Sequence, residues 1–377
     1  MLRSLVALAM LGALAACAMP NIPISRTFPI AVNRPALARV FLDVNGTLYP
    51  DNWHVSVRPE LLTKKHALLG AAPETEWPAL REAERQKLAD IGRLIAGKKR
   101  VFILLHGFNA NEAEASIAYD LIEQRISANS EDVVVRLYWD GLIGKGAGVV
   151  PAWFTAAGSS QVVGVQGLRR ILALPKQQHV VVISHSRGSS VVLSALGNPP
   201  FAPDYRKKTE ALSFAPSTFL NPPELEDRQN RIDALFLAPA IGFVDFHDPS
   251  CATRKQLRLP QCFSPSVVDS SSAARPCPDY RAFSTQLKSI HYTINQGDAV
   301  LKKGGLKLRR YFNPTDLGVD FDVGRALATC YKGTIAMVPH EITMPHGHDF
   351  TDYAQDPELE KMLTAVGAAR PKQKDLK

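Results

Sequence analysis

Several signatures that would settle the class of this chain are missing. There are five cysteines but no Cys-x-x-Cys pair, so the commonest structural zinc spacings are absent. The most conspicuous apolar run, Leu5–Leu14, is too short to span a bilayer as a mature helix. The glycines at 141, 144, 146 and 148 lack the Gly-Lys-Ser/Thr ending of a phosphate loop and read as a flexible connection. There is no internal repeat. The formal net charge is +8, but the basic residues are scattered rather than gathered in a stripe, and nucleic acid is not an expected partner. What is present is an ordinary globular balance. The 377 residues are 46% hydrophobic and 21% charged, enough for one large domain or two small ones with a sizeable core.

The N-terminus reads as a targeting signal. Arg3 precedes the apolar run, and Leu14-Ala15-Ala16-Cys17 follows it. That ending resembles a bacterial lipobox, which implies removal of residues 1–16 and a diacylglycerol on the Cys17 thiol. An ordinary secretory signal cleaved near the same point is the alternative. Ala18, with no Asp after the cysteine, implies by resemblance to enterobacterial sorting a periplasm-facing lipoprotein of the outer membrane. A basic surface beside an anionic membrane is consistent with that address. Four cysteines remain, Cys251, Cys262, Cys277 and Cys330, and an oxidising compartment suggests disulfides among them. Three pairings are open, and clustering in the chain favours Cys251–Cys262.

Residues 17–36 are proline-rich and read as a tether. Residues 37–99 read as an N-terminal extension. It contains a hairpin with arms 39–44 and 47–49 around Asn45-Gly46, and a helix over 76–96 with a stripe of Leu80, Leu88, Ile91 and Ile95. From Arg100 the chain alternates apolar strands and amphipathic helices. Strands are expected near 101–105, 133–138, 179–183, 234–238, 289–294 and 333–338. Helices are expected from Asn111, with Ile117, Leu121 and Ile122 buried, over 159–173 and over 188–196. The pattern predicts an α/β fold, a doubly wound, mostly parallel sheet with helices on both faces, over 100–365. A cysteine-containing insertion, 247–285, interrupts it and reads as a lid or binding loop. Residues 366–377 form a basic tail.

The chemistry centres on Ser184-His185-Ser186-Arg187-Gly188. Ser186 follows an apolar strand and precedes a helix, the context of a nucleophile elbow, although a helix-capping serine is the alternative. Ser184 stands where such a turn usually has its first glycine. His106-Gly107-Phe108-Asn109 follows the strand at 101–105, so the Phe108 and Arg187 amides are candidate oxyanion donors, while His106 itself reads as structural. Asp298, in Asn295-Gln296-Gly297-Asp298, is the candidate acid, with Asp245 competing. His348, in Met344-Pro345-His346-Gly347-His348-Asp349-Phe350, is the candidate base, with His346 its rival. A metal site from His340, His346 and His348 is a weaker option that lacks a matching acidic cluster. Residues 149–154, Val-Val-Pro-Ala-Trp-Phe, could line an acyl pocket or belong to the core.

The order Ser186, Asp298, His348 is the chain order of α/β-hydrolases. Over 100–365 the sequence resembles that superfamily, and in particular a bacterial branch with an His-Gly-Phe-Asn loop, an Ala-His-Ser-Met-Gly elbow and a late histidine. The branch carries a small non-glycine residue where Ser184 stands. The resemblance implies an α/β-hydrolase fold and a serine esterase or thioesterase that needs no cofactor and no metal. Its implied substrate is an ester or acyl compound, small or lipid, and its implied contact with the membrane is through the lipid anchor. Arg187 departs from the branch, which has an apolar methionine there; it suits an anionic substrate or a nearby carboxylate. A non-catalytic envelope protein binding a partner through the same fold is the competing expectation.

Overall fold

Runs of β-branched residues without polar interruption form strands that must be covered on both faces. The computed structural model describes residues 18–28, 30–31, 35–58, 60–62, 67–145, 149–198, 224–246, 280–302, 315–343 and 347–371. At its centre is a sheet of eight strands. In chain order they are β1 (Ile30–Ala31), β2 (Ala36–Leu42), β3 (Arg100–Leu105), β4 (Asp132–Trp139), β5 (His179–His185), β6 (Arg231–Leu237), β7 (Leu287–Ile294) and β8 (Ala336–Glu341). Across the sheet the order is β8-β7-β6-β5-β3-β4-β2-β1. All neighbours pair in parallel except β1 and β2. β3 lies between β4 and β5, so successive crossovers leave it in opposite directions. This is the switch point at which parallel sheets open a crevice beyond their C-terminal ends.

Alternate residues of the central strands enter two separate cores. Val101, Ile103 and Leu105 of β3 join Val133, Val135, Val180 and Val182 on one face. Phe102 and Leu104 join Val134, Tyr138, Val181 and Ile183 on the other. The first face is covered by α1 (Trp77–Ile95), α3 (Val149–Val163), α4 (Gly188–Leu196) and α5 (Phe321–Cys330). The second is covered by α2 (Glu112–Arg125), α6 (Phe350–Gln355) and α7 (Pro357–Ala365). Asn111 caps α2 through a full capping box with Glu114. α3 widens into a π-helical segment at Gly164–Leu168, where a Cβ on Gly164 would collide with the Val191 carbonyl of α4.

Several expectations change in detail. Residues 36–42 are a full strand of the sheet rather than one arm of an appended hairpin. The Asn45-Gly46 turn is present, but its return arm meets β2 only at the Leu42–Leu48 bridge. The edge of β4 left open by β3 is the better partner, offering seven paired positions. Residues from 18 onward do not hang free. The Asn21 amide donates to Asp140 Oδ1 at 2.7 Å, Ile24 N–H donates to Glu112 Oε2 at 2.8 Å, and Phe28 is fully buried. Ile117 faces solvent, because Ala115, Ala118, Tyr119 and Ile122 carry the buried stripe of α2. The helix expected at 159–173 begins ten residues earlier, at Val149. Of the insertion, only 280–285 falls within the described residues.

The turn at Gly46 holds β2 to the helix layer. Its φ is +79°, and a Cβ there would lie 2.7 Å from the Gly167 amide nitrogen. Gly97 has a similar φ, +75°, with open space around it. Gly97→Ala should therefore cost about 1 kcal/mol of backbone strain, and Gly46→Ala about 3 kcal/mol from strain plus collision. Urea denaturation of the two variants measures the difference. Equal losses would show that the Gly46–Gly167 contact contributes nothing.

Candidate active site

β5 ends at His185, α4 begins at Gly188, and the two residues between must reverse the chain in almost no space. Ser186 does so at φ 51°, a left-handed conformation strained for a residue with a side chain. The strain is held from both sides. Ser186 N–H donates to Leu237 O at 2.8 Å, and Ser186 O accepts from Ala240 N at 3.1 Å and Ser189 N at 3.1 Å. Close approach explains the small neighbours. A Cβ on Gly188 would lie 2.6 Å from His106 O, and one on Gly107 would lie 2.7 Å from Ser186 Cβ. Ser184 is buried without crowding, its hydroxyl 3.2 Å from Ser189 Oγ. The small residue two before Ser186 therefore tolerates a hydroxymethyl group, while the one two after it must be glycine.

The loops after β5, β7 and β8 bring three side chains together. Ser186 Oγ is 2.7 Å from His348 Nε2, and His348 Nδ1 is 2.7 Å from Asp298 Oδ2. Asp298 is fully buried and its position is fixed by other donors. Val300 N–H and Leu301 N–H both donate to Oδ1 at 2.9 Å, and the Tyr353 hydroxyl donates to Oδ2 at 3.1 Å. Tyr353 is oriented in turn by Asn295 Nδ2, 2.9 Å from its hydroxyl. With Asp298 accepting at Nδ1–H, His348 presents a bare Nε2 to the Ser186 hydroxyl.

Gly107 packs directly on Ser186, which puts the Phe108 backbone beside the serine. Neither the Phe108 amide nor the Arg187 amide donates a hydrogen bond within the described residues. His106 stays out of this chemistry. Its Nε2 accepts from Trp139 N–H at 3.1 Å and its Nδ1 faces Gly107 O at 2.8 Å, so the ring is a strut between β4 and the loop.

Asp245 lies on the turn Phe243–Phe246, where its Oδ2 accepts from Gly242 N–H at 2.9 Å and its charge acts on Arg187; Asp298 is the carboxylate that holds His348. His340 sits apart, with Nε2 3.1 Å from His291 Nδ1. His346, Cys17, Cys251, Cys262 and Cys277 lie outside the described residues. Cys330 is in a disulfide whose other half also lies outside them. Two neighbours, Tyr353 and His185, escape a reading of the sequence. Tyr353 is periodic with buried Phe350 and Ala354 and looks like core. His185 stacks on Phe350 at 4.7 Å, and burial, then the adjacent His348, hold its pKa well below the ordinary histidine value. Trp153, from the 149–154 stretch expected to line a pocket or join the core, stands edge-on to Phe108 at 5.4 Å. No family model matches the chain, and no curated protein matches it either.

Burial pushes the His106 pKa down to about 4. Below the ordinary value of about 6.5 the unfolded chain takes up a proton that the folded chain refuses, so acidification from about 6.5 to about 4 removes stability. Imidazole nitrogen shifts recorded near pH 5.5 should show His106 uncharged with its proton on Nδ1. A charged ring at that pH would contradict the Trp139 hydrogen bond.

Proposed function

We propose that this protein is a lipid-anchored cell-envelope serine hydrolase of the α/β-hydrolase class, acting on ester or thioester bonds. The observation that carries the reading is the continuous Ser186–His348–Asp298 hydrogen-bond chain, 2.7 Å at both links, on a serine held at positive φ between a strand and a helix. The mostly parallel sheet and the order Ser, Asp, His along the chain support the class.

In the proposed reaction His348 Nε2 takes the Ser186 proton as Oγ attacks the carbonyl carbon. The oxyanion gathers the unengaged Phe108 and Arg187 amides. His348 then protonates the departing oxygen or sulfur, and in the second half activates water against the acyl-serine. Asp298 keeps the imidazole proton on Nδ1 and stabilises the imidazolium. No cofactor takes part. Lipidation of Cys17 would anchor the chain one residue before Ala18, whose backbone pairs with Gly144, and Gly144 N–H donates to Asn109 Oδ1 in the loop beside Ser186. Such an anchor at the outer membrane brings the site close to the lipid surface.

The test is a fluorophosphonate label on the full chain in detergent. Wild type should be labelled at Ser186 and Ser186→Ala not at all. His348→Ala should label about a thousandfold more slowly. Gly107→Ala, whose methyl group would push the loop from Ser186, should slow labelling about a hundredfold. An unlabelled wild type with a cooperative melting transition would favour a non-catalytic binding protein built on the same fold.

A further inference from the structure

The residue after the proposed nucleophile carries a group that the reaction does not use. Arg187 is 2% exposed, beside Ser186, and its guanidinium lies over the Trp153 ring at 5.0 Å. Its Nε and Nη2 are buried and have no hydrogen-bond partner among the described residues. These two atoms form one edge of the guanidinium, the edge that grips a carboxylate or a phosphate through two parallel hydrogen bonds. The stacked face is held by the Trp153 ring, and the fork faces no partner among the described residues. Trp153 Nε1 is also buried without a partner.

The direction of the fork's surroundings is set by aromatic contacts. Trp153 stands edge-on to Phe108, and Phe108 follows the glycine packed on Ser186. The guanidinium therefore belongs to the wall beside the reacting serine. Burial lowers the Arg187 pKa; the Asp245 charge opposes that, but Asp245 supplies no hydrogen bond to Nε or Nη2. Burying a guanidinium fork without hydrogen bonds is costly, and a ligand anion removes that cost.

We infer that the Arg187 fork binds an anionic group of the substrate, so that the preferred ester carries a carboxylate or phosphate a few bonds from the scissile carbonyl. The inference rests on the serine-hydrolase reading and narrows it. The anion bridges Nε and Nη2 while the ester carbonyl faces the Phe108 and Arg187 amides. Binding energy from the remote charge then helps to hold the carbonyl against Ser186.

Two matched substrate pairs test it on the full chain. One is p-nitrophenyl hydrogen glutarate against p-nitrophenyl valerate, with the charge on the acyl side. The other is an acylglycerol phosphate against the same acylglycerol, with the charge on the alcohol side. Wild type should prefer the charged member of one pair, and which pair tells carboxylate from phosphate. Arg187→Met should lower that preference, as a ratio of kcat/KM values, by about tenfold to a hundredfold. Arg187→Lys should keep part of it, because the charge survives and the fork does not. Fluorophosphonate labelling counts active serine in every variant. A labelled wild type with no charge preference, or a ratio unchanged in Arg187→Met, overturns the inference and leaves the hydrolase reading intact. If wild type is not labelled, that reading fails and inorganic phosphate judges the fork alone. A rise in Tm with phosphate that disappears in Arg187→Met supports the anion site, and an equal rise or none in both proteins overturns it.

Discussion

The site depends on one backbone conformation, the positive φ of Ser186. An L-residue does not rest there by itself; it is kept there by the Leu237 carbonyl at the end of β6 and the Ala240 amide just beyond it. That turn can form only where a strand and a helix meet almost without a linker. It also forces the loop after β3 against the serine, which is why glycine occupies positions 107 and 188. The strain projects the serine hydroxyl beyond the sheet edge, at the switch point where the loops after β3 and β5 diverge. Packing in the two cores, on either face of the central strands, supplies the rigidity that keeps the turn from relaxing.

A second constraint follows. A histidine that serves a buried serine must be aimed, and the aiming group must itself be immobile. Asp298 meets this through four donors on its two oxygens: two amides of its own loop, the Tyr353 hydroxyl and His348. Tyr353 comes from α6, which begins just after His348, so one short segment delivers both the histidine and a support for the carboxylate. The carboxylate cannot turn without breaking several hydrogen bonds at once in a region closed to water. This cooperative fixing is what makes the 2.7 Å contacts a geometry rather than one rotamer among many.

Much of this was legible in the chain because its determinants are local. Apolar runs mark β3, β5 and β7. Asn111 and Glu114 mark a helix start, and small residues flank Ser186. The loops carrying Asp298 and His348 follow apolar strands, so the order of residues along the chain already implied their meeting. What was illegible depends on distant partners. Nothing within residues 36–42 says that they pair in parallel with 132–139 rather than with 47–49. The docking of residues 18–28 rests on Glu112 and Asp140, about a hundred positions away, and a proline-rich composition hides it. Ile117 was misplaced because α2 buries alanines, which a count of large apolar residues overlooks. Tyr353 was missed because its hydroxyl matters and its ring looks like core.

Buried polar atoms without a hydrogen-bond partner among the described residues occur away from the site, as at Arg39 Nε, Asn45 Nδ2, His54 Nδ1 and Gln161 Oε1, and also beside it. His106 is buried, but each ring nitrogen has a partner, as expected of a strut. Arg187 Nε and Nη2, Trp153 Nε1 and His185 Nε2 are buried without partners among the described residues, and they belong to residues beside Ser186, His348 or the loop next to them. An apolar residue of similar size would fill the same space with no desolvated donor. A buried methionine at 187 would satisfy the core without leaving any donor unmet. What distinguishes the Arg187 fork is its place beside Ser186, and under the proposed reading an anionic group of the substrate would complete its hydrogen bonding.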